Sequence, residues 1–509
     1  MSRTLALWAF IAGIAGLFYL DRDKSIRTSK ALWVPLIWFS IAASRSPFAW
    51  LGIGGVPKEI PGQLPEGSPF DQILAASLML VGLIVLFLRR KEVTSVLRAS
   101  WPIVLYFAFC LFSLLWSDYA AWGAKRWVRA LGDVIMVLVI ATEVQPRPAL
   151  RRLFSRVGFI LLPISVLLIR YYPELGTGWD PYGELQVFTG VSTNKNVLGD
   201  LVYLIGLGAL WQILVLVRDK DNPDRKRRLL AQVILVAFGV LLLHWAHCAT
   251  ATGCIIFGAG LMLALSLPRF RRSPAAVHAL VLSLALVGGV GYLLGAKAAI
   301  TEALGRKPDL TGRTEIWHIV LEIAPNTVGG AGFETFWVGP RVAKLYSMIG
   351  GPDRTNEAHN GYIEVFLNLG LLGLGFIALL LGQGYLKAVS LFRRDAALGG
   401  LMVTYVVTTL AYNVTEAGFR MLSLQWFFLL LTIVMVNRVI TLPEVVPAES
   451  ASELAVPERP RWATRLPGMA ARGDKATDGG SSPSSVTARI KRVEPRTPGH
   501  LVGDGKHRG

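Results

Sequence analysis

Apolar residues in this chain come in long, nearly unbroken runs. Runs of roughly 15 to 20 residues recur between short charged breaks, the length a helix needs to cross a hydrocarbon core, whereas a membrane barrel would show short alternating strands. About thirteen spans follow from this pattern: residues 5–20, 31–45, 72–88, 101–116, 127–144, 153–169, 197–217, 229–246, 250–267, 277–294, 361–384, 397–413 and 421–437. The rhythm changes twice. Residues 295–360 are polar enough to lie in water, with short helical stretches, and after 437 the chain turns to Pro, Ser, Gly, Arg and Glu without a period, which predicts a disordered tail. The expected fold is an all-α polytopic membrane protein. Its segments are 1–294, spans with short loops and one longer segment at 170–196; 295–360, a large loop; 361–437, the last spans; and 438–509, the tail.

Charge orients this array. DRDKSIRTSK, RRKEVTSVLR, QPRPALRRLFSR, RDKDNPDRKRR, PRFRRSP and KAVSLFRRD all fall on one side, which the positive-inside rule makes cytoplasmic, while the opposite segments are poor in Lys and Arg. The amino terminus and the large loop then lie outside and the carboxyl terminus inside. Composition agrees: 53% of the 509 residues are hydrophobic and 17% charged, too apolar for a soluble chain of this length. The formal net charge of +18 owes much to the inner loops and does not argue for nucleic acid as a partner. Cys110, Cys248 and Cys254 lie in or beside apolar runs and suggest packing, neither a disulfide framework nor a zinc site. The first run has DRDK after it and no small-residue cleavage site, so it reads as a retained anchor.

Candidate chemistry gathers between Thr311 and Phe376, where the large loop joins the next span. Ile316, Ile319, Val320 and Ile323 recur at helical spacing, predicting a short amphipathic helix over Thr314–Ala324, with Thr311 as its N-cap, lying on the membrane surface or over the bundle. Arg313 then sits in the first turn, where the helix dipole disfavours a cation by about 0.3–1 kcal/mol. Such a position wants an anion. It either binds phosphate together with the helix N–H groups or pairs with a neighbour such as Glu315 or Asp309. His359 and Asn360 stand at the entrance of the next span, Asn360 as a natural N-cap, and Glu364 lies one turn inside on the same face. An imidazole there takes a proton from a hydroxyl near neutral pH, and the carboxylate orients it; an interfacial or capping histidine is the ordinary alternative. Gly370 and Gly373 suggest close approach of another helix.

Three further polar groups lie at outer ends of spans. Lys195 and Asn196 end the 170–196 segment, with Asp200 one turn below; Lys195 meets a phosphate or snorkels. Glu416 and Arg420 suit a salt bridge, as do Arg129 and Asp133 within one span. No Walker loop, HExxH, zinc-spaced Cys pair or nucleophile elbow occurs, nor an Asp-rich outer loop for a divalent metal, so neither a metal nor a cofactor is expected.

HN, nine residues, then GLLG resembles the signature of the O-antigen ligase and Wzy-type polymerase superfamily, membrane glycosyltransferases that act on undecaprenyl-diphosphate-linked sugars. TGRTEIW followed by GAGFETFW resembles the loop of its exopolysaccharide polymerase branch, and TGVSTNKNVLG is similar to the start of a middle span there. The match covers mainly Tyr171 to Gly375. The resemblance implies that His359 is essential for transfer, that Arg313 binds the diphosphate or helps it leave, and that Lys195 with Asn196 lines the same cavity; Asn360, Glu364 and Arg420 join them as candidate substrate contacts. One departure stands out. Relatives often carry a cation near the opening of the span that begins by Cys248, whereas HCATATG supplies only histidines and neutral residues, so Lys195 or Arg420 would replace it.

The resemblance implies a metal-independent enzyme of a bacterial inner membrane with its large loop in the periplasm. Its implied partners are an undecaprenyl-diphosphate-linked oligosaccharide, membrane lipid, and a chain-length regulator or export proteins. The expected reaction is polymerisation of repeat units for exopolysaccharide or O-antigen. A ligase that moves finished glycan to lipid A core is the alternative within the family. A transporter without catalysis is the alternative of another class; it predicts charges near the midplane and paired half-helices, whereas the polar residues here gather at the outer mouths.

Overall fold

A computed structural model describes residues 2–23, 26, 28–52, 68–179, 185–293, 313–349 and 355–442. The tail at 443–509, and Thr311 with the first part of the large loop, lie outside the described residues. Every apolar run reappears as a helix, and the only strands among the described residues form a small antiparallel hairpin, Thr177–Trp179 with Gln186–Phe188. The chain is thus an all-α polytopic membrane protein.

The helices that matter below are α1 (Arg3–Leu20), α2 (Trp33–Ala43), α3 (Pro69–Leu88), α4 (Trp101–Phe112), α5 (Ala120–Ala141), α6 (Pro146–Tyr171), α7 (Lys195–Arg218), α8 (Arg225–Ala246), α9 (Ala249–Leu265), α10 (Pro274–Leu293), α11 (Arg313–Glu322), α12 (Pro340–Ile349), α13 (Gly361–Arg394), α14 (Ala396–Tyr412) and α15 (Leu424–Thr441). Seven of them, α1, α3, α6, α7, α8, α13 and α15, are long and apolar enough to cross a membrane. An eighth span arises if Arg90–Ala99 and Trp101–Trp116, bent by 83°, are taken together. Other predicted spans are apolar but shorter, among them α9 and α14, and α5 carries Lys125, Arg126 and Arg129 in its first half and Asp133 just past its middle.

α15 is buried almost throughout and forms the axis of the bundle, with Trp426, Phe427 and Phe428 packed against Tyr106, Phe39 and Phe154. Local sequence fixes where helices begin. Ser68, Asn194, Asn360, Asp395 and Ser423 each cap a helix by accepting backbone N–H bonds, typically worth about 1 kcal/mol apiece.

The large loop builds a cap with a core of its own. Ile316, Ile319 and Val320 of α11 pack with Phe336, Trp337 and Leu345 and with Leu367 of α13. The predicted amphipathic helix therefore lies over the bundle. It is stitched to α13 at Gly370, where the helix breaks with φ 63° and ψ −161°. There Ala331 and Gly332 donate to the Leu367 and Asn368 carbonyls at 3.0 and 2.9 Å, while Leu371 and Leu372 donate to Thr327 and Val328 at 2.9 and 3.2 Å. What approaches Gly370 is thus a glycine-rich loop and not another helix. A Cβ at Gly370 would run into the Val328 carbonyl, and one at Gly330 into the Asn368 backbone. At Gly373 the nearest atoms belong to Leu369 and Val365 of α13 itself.

Candidate active site

Arg313 opens α11 as predicted, but its anion comes from far along the chain. Its Nη2 lies 3.0 Å from Glu416 Oε1, and Nη1 donates to the Thr415 carbonyl. Glu416 sits in the turn between α14 and α15, so this pair fastens the cap to the bundle. Glu315 is not the partner of Arg313, Asp309 lies outside the described residues, and Arg420 pairs with Glu334 and Glu357 where its spacing suggested Glu416. Burial makes the Glu416 carboxylate, 7% exposed, depend on its partners.

His359 stands beside the same carboxylate. Its Nδ1 is 2.9 Å from Glu357 Oε1 and 3.6 Å from Glu416 Oε2, and its backbone is held at φ 49°. Glu334, in the glycine-rich turn, also has positive φ, 57°. Left-handed backbone at a non-glycine residue costs free energy, and two such residues in one cluster are held there by their surroundings. Arg420 completes the constellation: Nη1 is 3.5 Å from Glu357 Oε2 and Nε 3.8 Å from Glu334 Oε2, and Arg126 of α5 holds Glu334 at 2.8 Å. Arg126, Glu334, Arg420, Glu357, His359, Glu416 and Arg313 therefore form one alternating chain of charge.

The chain sets the protonation of its members. Burial alone would lower the imidazole of His359, but the carboxylates of Glu357 and Glu416 beside its Nδ1 outweigh it and push the group up to about 9. Burial would raise Glu357, yet the close imidazolium of His359 and the charges of Arg420 and Arg313 hold it at about 2. The resting site is an imidazolium held by carboxylates, which corrects the expectation of a histidine poised near neutral pH. Counting that imidazolium, four cations face three carboxylates, so the cluster has positive charge to offer an anion.

The carboxylates on His359 are Glu357 and Glu416 rather than Glu364. Glu364 is buried and accepts from Trp337 Nε1 at 2.5 Å and from the Ala358 amide at 3.0 Å. It clamps the loop just before His359 and positions it indirectly. Asn360 caps α13 through the Tyr362 and Ile363 amides and ties α13 to the Val414 carbonyl at 3.0 Å.

Lys195 and Asn196 open α7 next to Cys248, whose Sγ is 3.8 Å from Asn196 Oδ1. From the same segment, Thr250 reaches Glu416 at 3.5 Å. Arg420 is the cation inside the cluster, whereas Lys195 pairs with none of its carboxylates and is linked to it only through Cys248, which lies within reach of the charges of both Lys195 and Glu416. Asp200 instead takes the Gln425 amide at 2.5 Å. Asp133 accepts from Trp38 Nε1 at 2.8 Å and from Leu422 N at 3.3 Å, with Arg129 near enough to act through charge alone.

Glu357, Glu334 and Arg126 were not singled out in the sequence. Glu357 is two residues before His359, a spacing that brings a carboxylate to an imidazole when the backbone turns. Arg126 carried a different signal: a basic residue at the outer end of a span, where the charge rule leaves few. Glu334 offered none beyond its place in a glycine-rich turn.

Glu357, His359 and Glu416 also bring three ligand-type atoms within 4.8 Å of one another. Arg313 and Arg420 already hold two of these carboxylates, so a divalent cation would have to compete with two guanidinium groups. The donor set fits an ion-pair cluster better than a metal centre.

The fold and this cluster define a polytopic membrane protein with a cation-rich site under an extramembrane cap. Residues 233–378, which include α11, the glycine-rich turn and His359, match the family model described as O-antigen ligase. The match supports a place for the chain in the O-antigen ligase and Wzy-type superfamily, whose members are membrane glycosyltransferase-like enzymes of polysaccharide biosynthesis. No curated protein matches the chain.

Proposed function

We propose that this protein polymerises undecaprenyl-diphosphate-linked oligosaccharide repeat units at the periplasmic face of a bacterial inner membrane, in exopolysaccharide or O-antigen synthesis. The observation that carries the reading is the joining of Arg313, His359 and Arg420 into one cluster through Glu416 and Glu357, at the outer mouth of the bundle.

In this mechanism the donor's diphosphate lies against Arg313 and Arg420, with Lys195 as a further cation and Asn196 and Asn360 as polar contacts. The hydroxyl of an acceptor sugar attacks the anomeric carbon. Its proton passes to Nε2 of the neutral form of His359, the minor form that remains after the resting imidazolium has released a proton to solvent, and the imidazolium formed again beside Glu357 is the species the site favours. The bond from the anomeric carbon to the diphosphate oxygen breaks with its electron pair, and the guanidinium groups bear the charge that develops. A single displacement inverts the anomeric centre, and the cations perform the work a metal would otherwise do.

Resemblance of TGRTEIW and GAGFETFW to the polymerase branch favours polymerisation over ligation. The test is purified protein in detergent with a synthetic polyprenyl-diphosphate repeat unit, with and without His359→Ala. A ladder of longer lipid-linked products, insensitive to chelator and lost in the variant, is expected. No extension by folded protein, but transfer to added lipid A core, would make it a ligase; inactivity toward both would overturn the catalytic reading.

A further inference from the structure

At the opposite end of the bundle from the cation-rich mouth, the end that bears the arginine-rich loops, a cavity of about 250 Å³ opens between the end of α1 and the start of α6. Its walls combine Phe18 and Phe159, packed edge to face with centroids 5.8 Å apart, with a rim of arginines. We propose that this cavity binds a phosphate group, presented by an anionic phospholipid of the adjoining leaflet, through Arg22, Arg152 and Arg156.

Charge balance makes the first part of the argument. Two carboxylates line the cavity, Asp21 and Asp23. Both are engaged by arginines: Arg228, buried behind them, lies 2.8 Å from Asp23 and 3.8 Å from Asp21, and Arg151 lies 3.9 Å from Asp23. Among the described residues no carboxylate is in salt-bridge contact with Arg22, Arg152 or Arg156, which also line the cavity. Arg152 bonds only neutral oxygens, the Thr28 hydroxyl and the Ile26 carbonyl, the latter at 2.6 Å. Arg156 lies over the Trp33 ring with its guanidinium carbon 4.6 Å from the centroid.

Hydrogen bonding makes the second. Nη1 of Arg156 is buried and has no hydrogen-bond partner, a costly state for a guanidinium N–H, and a phosphate in the cavity would relieve it once the side chain turns that nitrogen toward the opening. Arg152 and Arg156 are one turn apart on α6, so their like charges repel unless an anion stands near both. Stacking on Trp33 leaves the guanidinium edge of Arg156 as its donating side, the geometry that recognises two oxygens at once.

The apolar walls decide between a free and a lipid-borne phosphate. Phe18 belongs to α1, a span whose residues are mostly exposed along its length, and the cavity lies at the end of that helix. An acyl chain along α1 can therefore place its headgroup at the arginines, whereas a free anion gains nothing from Phe18 and Phe159.

The experiment uses the full-length protein, delipidated in a neutral maltoside detergent, and follows thermal unfolding and lipid retention by native mass spectrometry. Three probes are titrated: phosphatidylglycerol, inorganic phosphate and diacylglycerol. Phosphatidylglycerol should raise the melting temperature and be retained, and Arg152→Gln/Arg156→Gln should weaken its apparent affinity about tenfold, the loss expected for charge-assisted bonds. Arg269→Gln, at the same end but outside the cavity, should bind as the wild type does. If the double variant does not fold, Arg22→Gln carries the test, because that side chain is exposed at the rim. An equal response to inorganic phosphate at matched concentration would assign the site to free phosphate and overturn the lipid source. Equal responses to phosphatidylglycerol and diacylglycerol, or full binding by the cavity variants, would overturn the site itself.

Discussion

A histidine held at about 9 makes a strong prediction about rate against pH. If His359 accepts the acceptor's proton, only its neutral form is competent. At pH 7 that form is about 1% of the enzyme and at pH 8 about 10%, so kcat/KM should climb nearly tenfold per unit before levelling near pH 9. A diphosphate diester is fully ionised over this range, so the donor adds no limb of its own. Glu357→Gln removes the foremost interaction that raises the imidazole and should carry the limb down toward the ordinary 6.5. At pH 7 the variant would then hold more than half its sites in the competent form. Its plateau should nonetheless fall by about tenfold, because a weaker, less firmly oriented base removes a proton more slowly.

Initial rates of lipid-linked product formation from pH 6 to 10, for wild type and Glu357→Gln side by side, read both effects. A wild-type profile that is level from pH 6 to 8 and falls above 9 would refute the base: the imidazolium would then be acting as a fixed cation on the diphosphate. A limb that stays near 9 in Glu357→Gln would refute the assignment of the shift to that carboxylate.

Three other outcomes follow from the same geometry. Arg313→Ala should destabilise the protein by about 3–5 kcal/mol, because Glu416 is left buried without its guanidinium; adding Glu416→Gln should restore much of the melting temperature but not transfer. Gly370→Ala places a side chain at φ 63° against the Val328 carbonyl, and should cost roughly 2 kcal/mol or more in detergent melts and loosen the cap to limited proteolysis. The Glu357–His359 pair should also make stability depend on pH. The raised imidazole stabilises fully below 6.5 and loses this as pH rises through about 9, and the depressed carboxyl stabilises above 4.5 and loses it as pH falls through about 2. Both shifts describe one pair and count once, about 3 kcal/mol at most, so melting should be highest near pH 4.5–6.5 as far as this pair decides it.

The helices were legible because an apolar run long enough to cross a membrane admits few other structures, and Asn360 and Asn194 were legible as caps because a side-chain oxygen at a helix start has an obvious use. Which helices suffice as spans was less legible: α5 is amphipathic and charged at its outer end, and Arg126 and Asp133 find their partners only once α2, the glycine-rich turn and the turn before α15 surround it. Helical spacing placed Glu364 on the face of Asn360, and that was sound. It could not tell that the cap would lay Trp337 and Ala358 over the carboxylate and so draw it away from His359.

The ion pairs resisted reading for a simpler reason. Arg313 and Glu416 are separated by 103 positions and Arg126 and Glu334 by 208, and nothing local favours either partner over a nearer charge. What the sequence did offer was a misplacement. Arg126, Arg313 and Arg420 all fall in segments that the charge rule expects to be poor in arginine, and each is held where a cation is costly: at the end of a span, at the positive end of a helix, or in a buried turn. A chain that tolerates three such residues, and then joins them through carboxylates at one mouth, has gathered positive charge in one place, which is what the proposed binding of the donor's diphosphate rests on. At the opposite end the same inference applies where arginines without a salt-bridged carboxylate gather around one cavity, as Arg22, Arg152 and Arg156 do.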